Sequence, residues 1–497
     1  MNVRLTLRVL GGLMMFLGVM LLTPIPFSLW YRRQDAFHDG ALWAFVASSA
    51  ITLAIGAAIY RLMRSQGDMT HREGFAVVAF GWIVFAMFGS LPYLLVNVPG
   101  IATPIDAFFE AMSGFSTTGA SVITRLETVP KSVLFWRSLT QWLGGMGIIV
   151  LGIAILPFLG VGGMQLFEAE APGPTKDRLS PRIQDTARVL WGVYALITLA
   201  EMLCLRASGM DLFESLCHAM TTLATGGFST RDASLAAYGT GTQSVVIVFM
   251  FLAGMNFALH YYALAHRDLK CYWKSEEFRF YVAVMAGAVL VITLCVAADS
   301  GIPGDLPTKL RDAAFQATSL ASSTGYVTAD FESWPALAQC ILISLMLMCA
   351  CAGSTSGGIK VIRILLVLKY SVLQISRLIH PREVRVLKLD HRPVSREVIQ
   401  GVLSFVALYM GVFLVGSFLM ASVLPPAPHG GADLLTAFTS VITTMGNVGP
   451  ALGIAGPSET YASIPAAGKL VLSLCMLVGR LELFTVLVMF FPSFWKK

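Results

Sequence analysis

The sequence predicts an all-α integral membrane protein of ten transmembrane helices, two N-terminal spans followed by four repeats. Three observations carry this. The 497-residue chain is 56% hydrophobic and 13% charged, with a mean hydropathy of +0.71. Water-soluble domains carry about 25% charged residues, so this chain needs a bilayer as its solvent. Ten long apolar segments run along it, near residues 6–30, 41–61, 74–96, 134–158, 187–207, 243–265, 279–299, 335–368, 397–423 and 467–492. Finally, four of the connections between these segments share one motif.

Each segment except the eighth is close to the roughly 20 residues that cross a bilayer as helix. Arg4 and Arg8 precede the first run in the manner of a signal peptide. The run continues to about Trp30 without a small-residue cleavage site, so an uncleaved first span is expected. The net charge of +6 does not point to nucleic acid, because the basic residues lie between apolar runs rather than on one polar domain. Arg61, Arg64 and Arg72 form the first basic connection. Lys176, Arg178, Arg182 and Arg188 form the next, followed by Arg267, Lys270, Lys274 and Arg279. Lys369, Arg377, Arg382, Arg385, Lys388, Arg392 and Arg396 form the longest, and Lys496 and Lys497 end the chain. The alternate connections are basic-poor, which places both termini and all these residues on the cytoplasmic side. Seven of the eight cysteines lie in apolar stretches, with Cys349 and Cys351 read as packing residues of one hydrophobic helix.

The connections after spans three, five, seven and nine are not ordinary loops. They read PIDAFFEAMSGFSTTGAS, DLFESLCHAMTTLATGGFS, LRDAAFQATSLASSTGYV and DLLTAFTSVITTMGNVGPA. Each is a short apolar helix, too short to cross, that ends in a Thr/Ser/Gly-rich turn. They align on Gly119, Gly227, Gly325 and Gly449. Asp106, Glu214 and Asp312 stand at one matched offset before that glycine, where the fourth repeat has Thr436, with Asp433 slightly earlier. Recurrence at fixed offsets defines four repeats, each with one pore-like loop. The division is 1–73 for the two extra spans and 74–164, 165–270, 271–394 and 395–497 for the repeats, with pore loops 104–121, 211–229, 308–328 and 432–451.

The acid complements the positive end of a helix dipole and so marks where each short helix starts. Its negative end then points toward the membrane centre, where it stabilises a cation. The glycine permits φ > 0, which turns backbone carbonyls toward an ion. Non-helical backbone at membrane depth survives only where it lines a cavity or is buried in protein, and carbonyl rings that replace a hydration shell are how K⁺ filters work. Candidate filter residues are Thr117, Thr118 and Gly119; Thr225, Gly226 and Gly227; Ser323, Thr324 and Gly325; and Asn447, Val448 and Gly449. Ser323–Val327 comes closest to the TVGYG loop of ordinary K⁺ channels. K⁺ bound at these residues is the metal expected.

Two further features stand out. The eighth run is too long for one straight span and is interrupted at Gly353-Ser354-Thr355-Ser356-Gly357-Gly358, a density of glycine and serine that breaks helix. Its spacing does not fit a phosphate-binding GxxxxGK[ST] loop. Arg480 lies in the middle of the last span, where an arginine costs about 2.5–3.5 kcal/mol to insert. It therefore faces a cavity or a partner; a structural pair with Glu482 is the bland alternative. Arg137, near the start of span four, is read as interfacial, and His218 as a packing residue.

At these residues the chain resembles the Trk/Ktr/HKT superfamily of K⁺ transporters, and within it the bacterial TrkH-type uptake subunits. The combination TTGAS, ATGGFSTRDAS, STGYV, GNVGPALG, CAGSTSGGIKVIR and GRLELFT carries the resemblance over essentially the whole chain. The resemblance implies four helix–pore-loop–helix repeats with pseudo-four-fold symmetry, and K⁺ uptake across a bacterial inner membrane. It implies a filter at the four glycines, an intramembrane gate at Gly353–Gly358 and a pore arginine at Arg480. It also implies a homodimer served by a cytosolic TrkA-like ring that binds NAD(H) or ATP/ADP, the nucleotide residing on that separate subunit only. Some plant relatives that favour Na⁺ carry serine at the first filter glycine; glycine here implies K⁺.

Other classes fit less well. A transporter of inverted repeats would have halves of opposite topology, whereas all four pore-like loops share one side. A coupled K⁺/H⁺ or Na⁺ symporter on the same fold stays open from sequence. An enzyme would need convergent His, Asp or metal-ligating groups, and the eight histidines are scattered. The inner loops are too short to hold a nucleotide-binding domain.

Overall fold

The computed structural model describes residues 1–31, 38–64, 69–147, 183–381, 386–425 and 433–495. These fold mostly as helix. The first span is α1 (Val3–Met20) continued by α2 (Ile25–Trp30), with Pro24 at the joint. The second is α3 (His38–Leu62), and the third is α4 (His71–Gly89) followed by α5 (Leu91–Val96). A short helix α6 (Pro104–Phe115) precedes α7 (Lys131–Gly145). The remainder of the fourth apolar segment, with Lys176, Arg178 and Arg182, lies outside the described residues, as do Arg382, Arg385, Lys496 and Lys497.

The pattern then recurs. α8 (Ile183–Ala207) is followed by the short α9 (Leu212–Leu223), then by α10 (Thr240–Ala253) and α11 (Phe257–His266). After α12 (Lys270–Lys274) come α13 (Glu276–Ala298), the short α14 (Leu306–Ala321) and α15 (Ala336–Leu347). A non-helical stretch holding the parallel strand pair β1 (Met348–Cys349) and β2 (Ile359–Lys360) leads into α16 (Val361–Ile379). A hairpin of β3 (Lys388–Leu389) and β4 (Arg392–Pro393) precedes α17 (Arg396–Val423). The chain ends with the short α18 (Leu434–Gly446), α19 (Ala466–Arg480), α20 (Phe484–Leu487) and α21 (Pro492–Trp495).

Six helices, or continuous helix pairs, among the described residues are long and apolar enough to cross a membrane. Two further pairs qualify only if each bent pair counts as one span: α10 with α11, bent by 98°, and α19 with α20, bent by 114°. The eighth segment is therefore not the sole broken one. The α10–α11 break falls at Gly254-Met255-Asn256, where the Asn256 side chain accepts from Ala258 N at 2.8 Å and starts a new helix. The α19–α20 break falls at Glu482 and Leu483, both with positive φ, at 54° and 51°. Cys349 and Cys351 do not sit in a helix: α15 stops at Leu347, and these cysteines begin the non-helical stretch.

The outer faces are apolar, unlike those of a water-soluble protein. Leu199, Leu203, Leu290, Leu294, Val415 and Phe418 are exposed on the outer faces of α8, α13 and α17. At the centre, Ser116, Thr117, Thr118, Thr222, Thr225, Ser323, Thr324, Thr443, Thr444 and Asn447 are all fully buried. Apolar outside and polar inside is what a bilayer selects.

Candidate functional site: a ring of four glycine turns

Each short helix starts on a polar cap. Thr103 caps α6 and forms a reciprocal capping box with Asp106; Asp211 caps α9, Asp305 caps α14 and Asp433 caps α18. Asp106 and Glu214 lie in first turns as the sequence predicts. Asp312 does not: α14 begins at Leu306, and the longer helix places Asp312 beyond its first turn, beside Arg311.

All four helices end in one way. The N–H groups of Thr118, Gly226, Thr324 and Val448 reach back to the carbonyls of Ser113, Thr221, Ser319 and Thr443 at 2.8–2.9 Å. Those of Thr117, Thr225, Ser323 and Asn447 donate to Gly114, Thr222, Leu320 and Thr444 at 2.8–3.3 Å. This pair of bonds is the Schellman termination, whose middle residue must be left-handed. Glycine usually fills that place; here it is Thr117 (φ 56°), Thr225 (φ 53°), Ser323 (φ 59°) and Asn447 (φ 54°). A left-handed residue with a side chain costs about 1–2 kcal/mol.

Two residues further on, Gly119, Gly227, Gly325 and Gly449 also have positive φ, at 82°, 72°, 78° and 109°. Their surroundings close a ring. A Cβ on Gly119 would lie 2.2 Å from the carbonyl oxygen of Gly226. On Gly227 it would lie 1.9 Å from that of Thr324, on Gly325 1.8 Å from that of Val448, and on Gly449 2.6 Å from that of Thr118. Each glycine thus abuts the carbonyl just before the glycine of the next repeat, in the cyclic order first, second, third, fourth, first. The sequence-predicted filter residues converge on this ring, with the C-terminal ends of α6, α9, α14 and α18 directed at it.

A cuff of buried side chains braces the turns from behind. Glu110 accepts from Ser121 Oγ at 3.0 Å and from Val122 N at 2.9 Å. His218 Nε2 pairs with Ser229 Oγ at 3.2 Å, and Gln316 lies against the backbone of Thr328 and Ala329. Gln141 Nε2 donates to Gly226 O at 2.6 Å while its Oε1 accepts from Phe228 N at 3.0 Å. Tyr461 Oη donates to Gly449 O at 2.7 Å. Arg137 is not interfacial. Only 1% exposed, it pairs with Glu110 at 2.8 Å, donates to Ser229 O and Ser121 Oγ at 3.1 Å each, and stacks 4.0 Å over Phe228. The sequence carried a sign of this cuff in three of the repeats: Glu110, His218 and Gln316 stand at one shared offset, nine before the aligned glycine, whereas in the fourth it is Thr439 Oγ1 that accepts from Leu452 N at 3.1 Å.

The non-helical stretch before α16 lies beneath the ring and touches three repeats. Cys351 N donates to Gly254 O at 3.0 Å, and Phe257 N to Gly353 O at 3.0 Å, within the α10–α11 break. Thr355 Oγ1 donates to Leu223 O at 2.9 Å, and Ser323 Oγ to Ser356 Oγ at 2.7 Å. A Cβ on Gly357 would lie 2.1 Å from Asn447 Oδ1. Arg480 joins this stretch to the first repeat. Its Nη1 donates to Thr355 O at 2.5 Å and to Thr117 Oγ1 at 3.2 Å, and its Nη2 to Gly145 O at 2.8 Å and to Gly144 O. Glu482 pairs instead with Arg363, which stacks 3.9 Å over Phe405. Three of the left-handed residues, Thr117, Ser323 and Asn447, therefore meet either this stretch or Arg480.

An apolar helical chain with four polar turns meeting at its centre defines a multi-pass membrane transport protein as the class. A family profile described as "TrkH: Cation transport protein" matches residues 41–497. The chain belongs to the TrkH family, a family of transport proteins rather than of enzymes. It is 39% identical over 500 residues to the Trk system potassium uptake protein TrkH of Salmonella typhimurium, with 100% of both chains covered. The protein of that name from Escherichia coli K12 matches with equal identity and coverage. The crystal structure of the potassium transporter TrkH from Vibrio parahaemolyticus superposes with a TM-score of 0.87 at 35% identity, covering 100% of both chains.

Proposed function

We propose that this chain carries K⁺ into a bacterial cell through one pore on the axis of the glycine ring. The observation that carries the reading is the cyclic close approach of four glycine turns, each from a different repeat. Four helix C-termini supply negative potential at the ring, and carbonyls of residues 117–119, 225–227, 323–325 and 447–449 replace water around the ion. Relatives bearing the potassium-uptake name over the full chain length favour K⁺ over other cations. On this reading ten spans, both termini cytoplasmic, enclose four repeats within the divisions 74–164, 165–270, 271–394 and 395–497. Residues 353–358 form the gate beneath the filter, with Arg480 placing a fixed positive charge beside it.

The family resemblance further supports a homodimer in the inner membrane and a cytosolic TrkA-like ring that brings nucleotide control. The purified chain in liposomes tests the core of this reading. K⁺ flux is expected to exceed Na⁺ flux and to follow the membrane potential without a proton gradient. Flux that needs a proton or Na⁺ gradient would establish the symport alternative, and no K⁺ flux at all would overturn the reading. Capture of a nucleotide-binding ring from native membranes tests the partner.

A further inference from the structure

The inner end of α13 carries two adjacent acids with different tasks. Glu277 is buried, and its carboxylate accepts from Ala352 N at 2.7 Å, at the start of the non-helical stretch. The backbone N–H of Ile362, in the first turn of α16 where helical N–H groups lack intrahelical partners, lies close enough to add attraction to the same carboxylate. Lys360 lies close enough to add attraction. Glu277 thus grips the stretch 353–358 at both of its flanks. Its neighbour Glu276 faces the cytosolic hairpin. Glu276 N donates to Asp390 Oδ1 at 2.7 Å, and the Glu276 carboxylate pairs with Lys369 of α16. Lys369 Nζ also donates to Lys388 O at 3.0 Å. Asp390 and His391, at φ 46° and 64°, form the tight turn of that hairpin. Its Leu387 and Leu389 pack with Ile362, Leu365 and Leu366.

Two helix starts therefore meet, one after the other, carboxylates from elsewhere in the chain. Asp390 accepts the first N–H of α13, whose own N-cap is Ser275, and α13 through Glu277 holds Ala352 and faces the first turn of α16. The chain of contacts runs from the exposed hairpin to the stretch beneath the ring without passing through the filter turns.

We propose that Glu277 is the positioning residue of the gate, holding the stretch 353–358 under the ring, and that the Asp390 hairpin is the cytosolic handle that acts on it through α13. The proposal rests on the gate reading given above. A push on the hairpin displaces the end of α13, and Glu277 then leaves Ala352 and Ile362 together, which frees both ends of the stretch at once.

The test measures K⁺ flux of the full-length chain in liposomes, without any cytosolic partner, for Glu277→Ala, Glu277→Gln, Asp390→Ala and a deletion of residues 354–356. The Glu277 variants are expected to raise flux about tenfold, the scale of one lost charge-assisted hydrogen bond, with the K⁺/Na⁺ ratio unchanged. Asp390→Ala is expected to raise flux in the same direction. Combined with the deletion, Glu277→Gln is expected to add nothing, because the element it holds is gone. A purely structural role would lower thermal stability without raising flux, and that result overturns the proposal. If the deletion raises flux and the folded Glu277 variants do not, the positioning role is wrong and the gate stands. If neither raises flux, the gate reading fails and takes this proposal with it. Glu277→Gln, which keeps shape and one acceptor, decides the matter if Glu277→Ala does not reach the membrane.

Discussion

Arg137 and Glu110 form a 2.8 Å ion pair with side-chain exposures of 2% and 0%, directly behind the turns of the first two repeats. Few charges are buried so completely, and this pair spans two elements that hold opposite sides of one turn. Glu110 grips the segment after Gly119; Arg137 grips that segment and the one after Gly227. Removing one member leaves the other charge unpaired in protein, which costs about 3–5 kcal/mol. Arg137→Met is expected to lower the melting temperature in detergent and to reduce the K⁺/Na⁺ flux ratio. The double variant Glu110→Gln/Arg137→Met is expected to regain part of the lost stability, and a double-mutant cycle in thermal unfolding measures the coupling.

Lys469 and Asp106 make a second buried pair, at 2.6 Å, joining the cap of α6 to α19 of the last repeat. Lys469 also donates to Ala462 O at 3.0 Å, so its ammonium has partners on both sides. This contact closes the ring between the first and fourth repeats. Lys469→Met is expected to destabilise the chain by about 3–5 kcal/mol, as a broken buried pair does. Lys469→Met with Asp106→Asn is expected to be milder than Lys469→Met alone, read by the same unfolding measurement.

Arg480 holds the stretch beneath the ring to the first repeat through Thr355 O, Thr117 Oγ1 and Gly145 O. Arg480→Ala removes these bonds and the fixed charge. At an effective dielectric near 20, two unit charges about 4 Å apart interact by roughly 4 kcal/mol. K⁺ flux without a cytosolic partner is expected to rise, while the K⁺/Na⁺ ratio stays near that of the parent. Tracer uptake into liposomes checks both; a folded variant that conducts no faster would leave the broken helix as a structural kink.

The helical, multi-span character was legible because membrane spans announce themselves by length and hydropathy, and the glycine turns by their matched spacing. The four glycines and the broken eighth span were found in that way. Breaks at Gly254–Asn256 and Glu482–Leu483 were not, because one glycine or no glycine interrupts an apolar run too briefly to change its average. Arg137 was misplaced for a related reason. Its position near a span end fits snorkelling, and only the fold brings Glu110, at a sequence separation of 27, against it. The start of α14 was missed because Asp305 lies earlier than the acids of the other repeats, and the aligned Asp312 took its role on paper. The polar residue nine before three of the glycines was visible in the sequence. Its changing identity, Glu110, His218 and Gln316, and its replacement by Thr439 in the fourth repeat concealed it.

The most direct test of a carbonyl ring on one axis is the bi-ionic reversal potential of Gly119→Ser beside the parent. A serine Cβ there would lie 2.2 Å from the carbonyl oxygen of Gly226 and would force a side chain onto a φ of 82°. Both effects move carbonyls of the first and second repeats without touching the outer helices. The parent is expected to favour K⁺, and the variant to lose about tenfold of that preference, equivalent to about 1.4 kcal/mol of discrimination, at normal abundance in the membrane. A normally expressed Gly119→Ser protein with an unchanged permeability ratio would contradict the assignment of the ring as the filter.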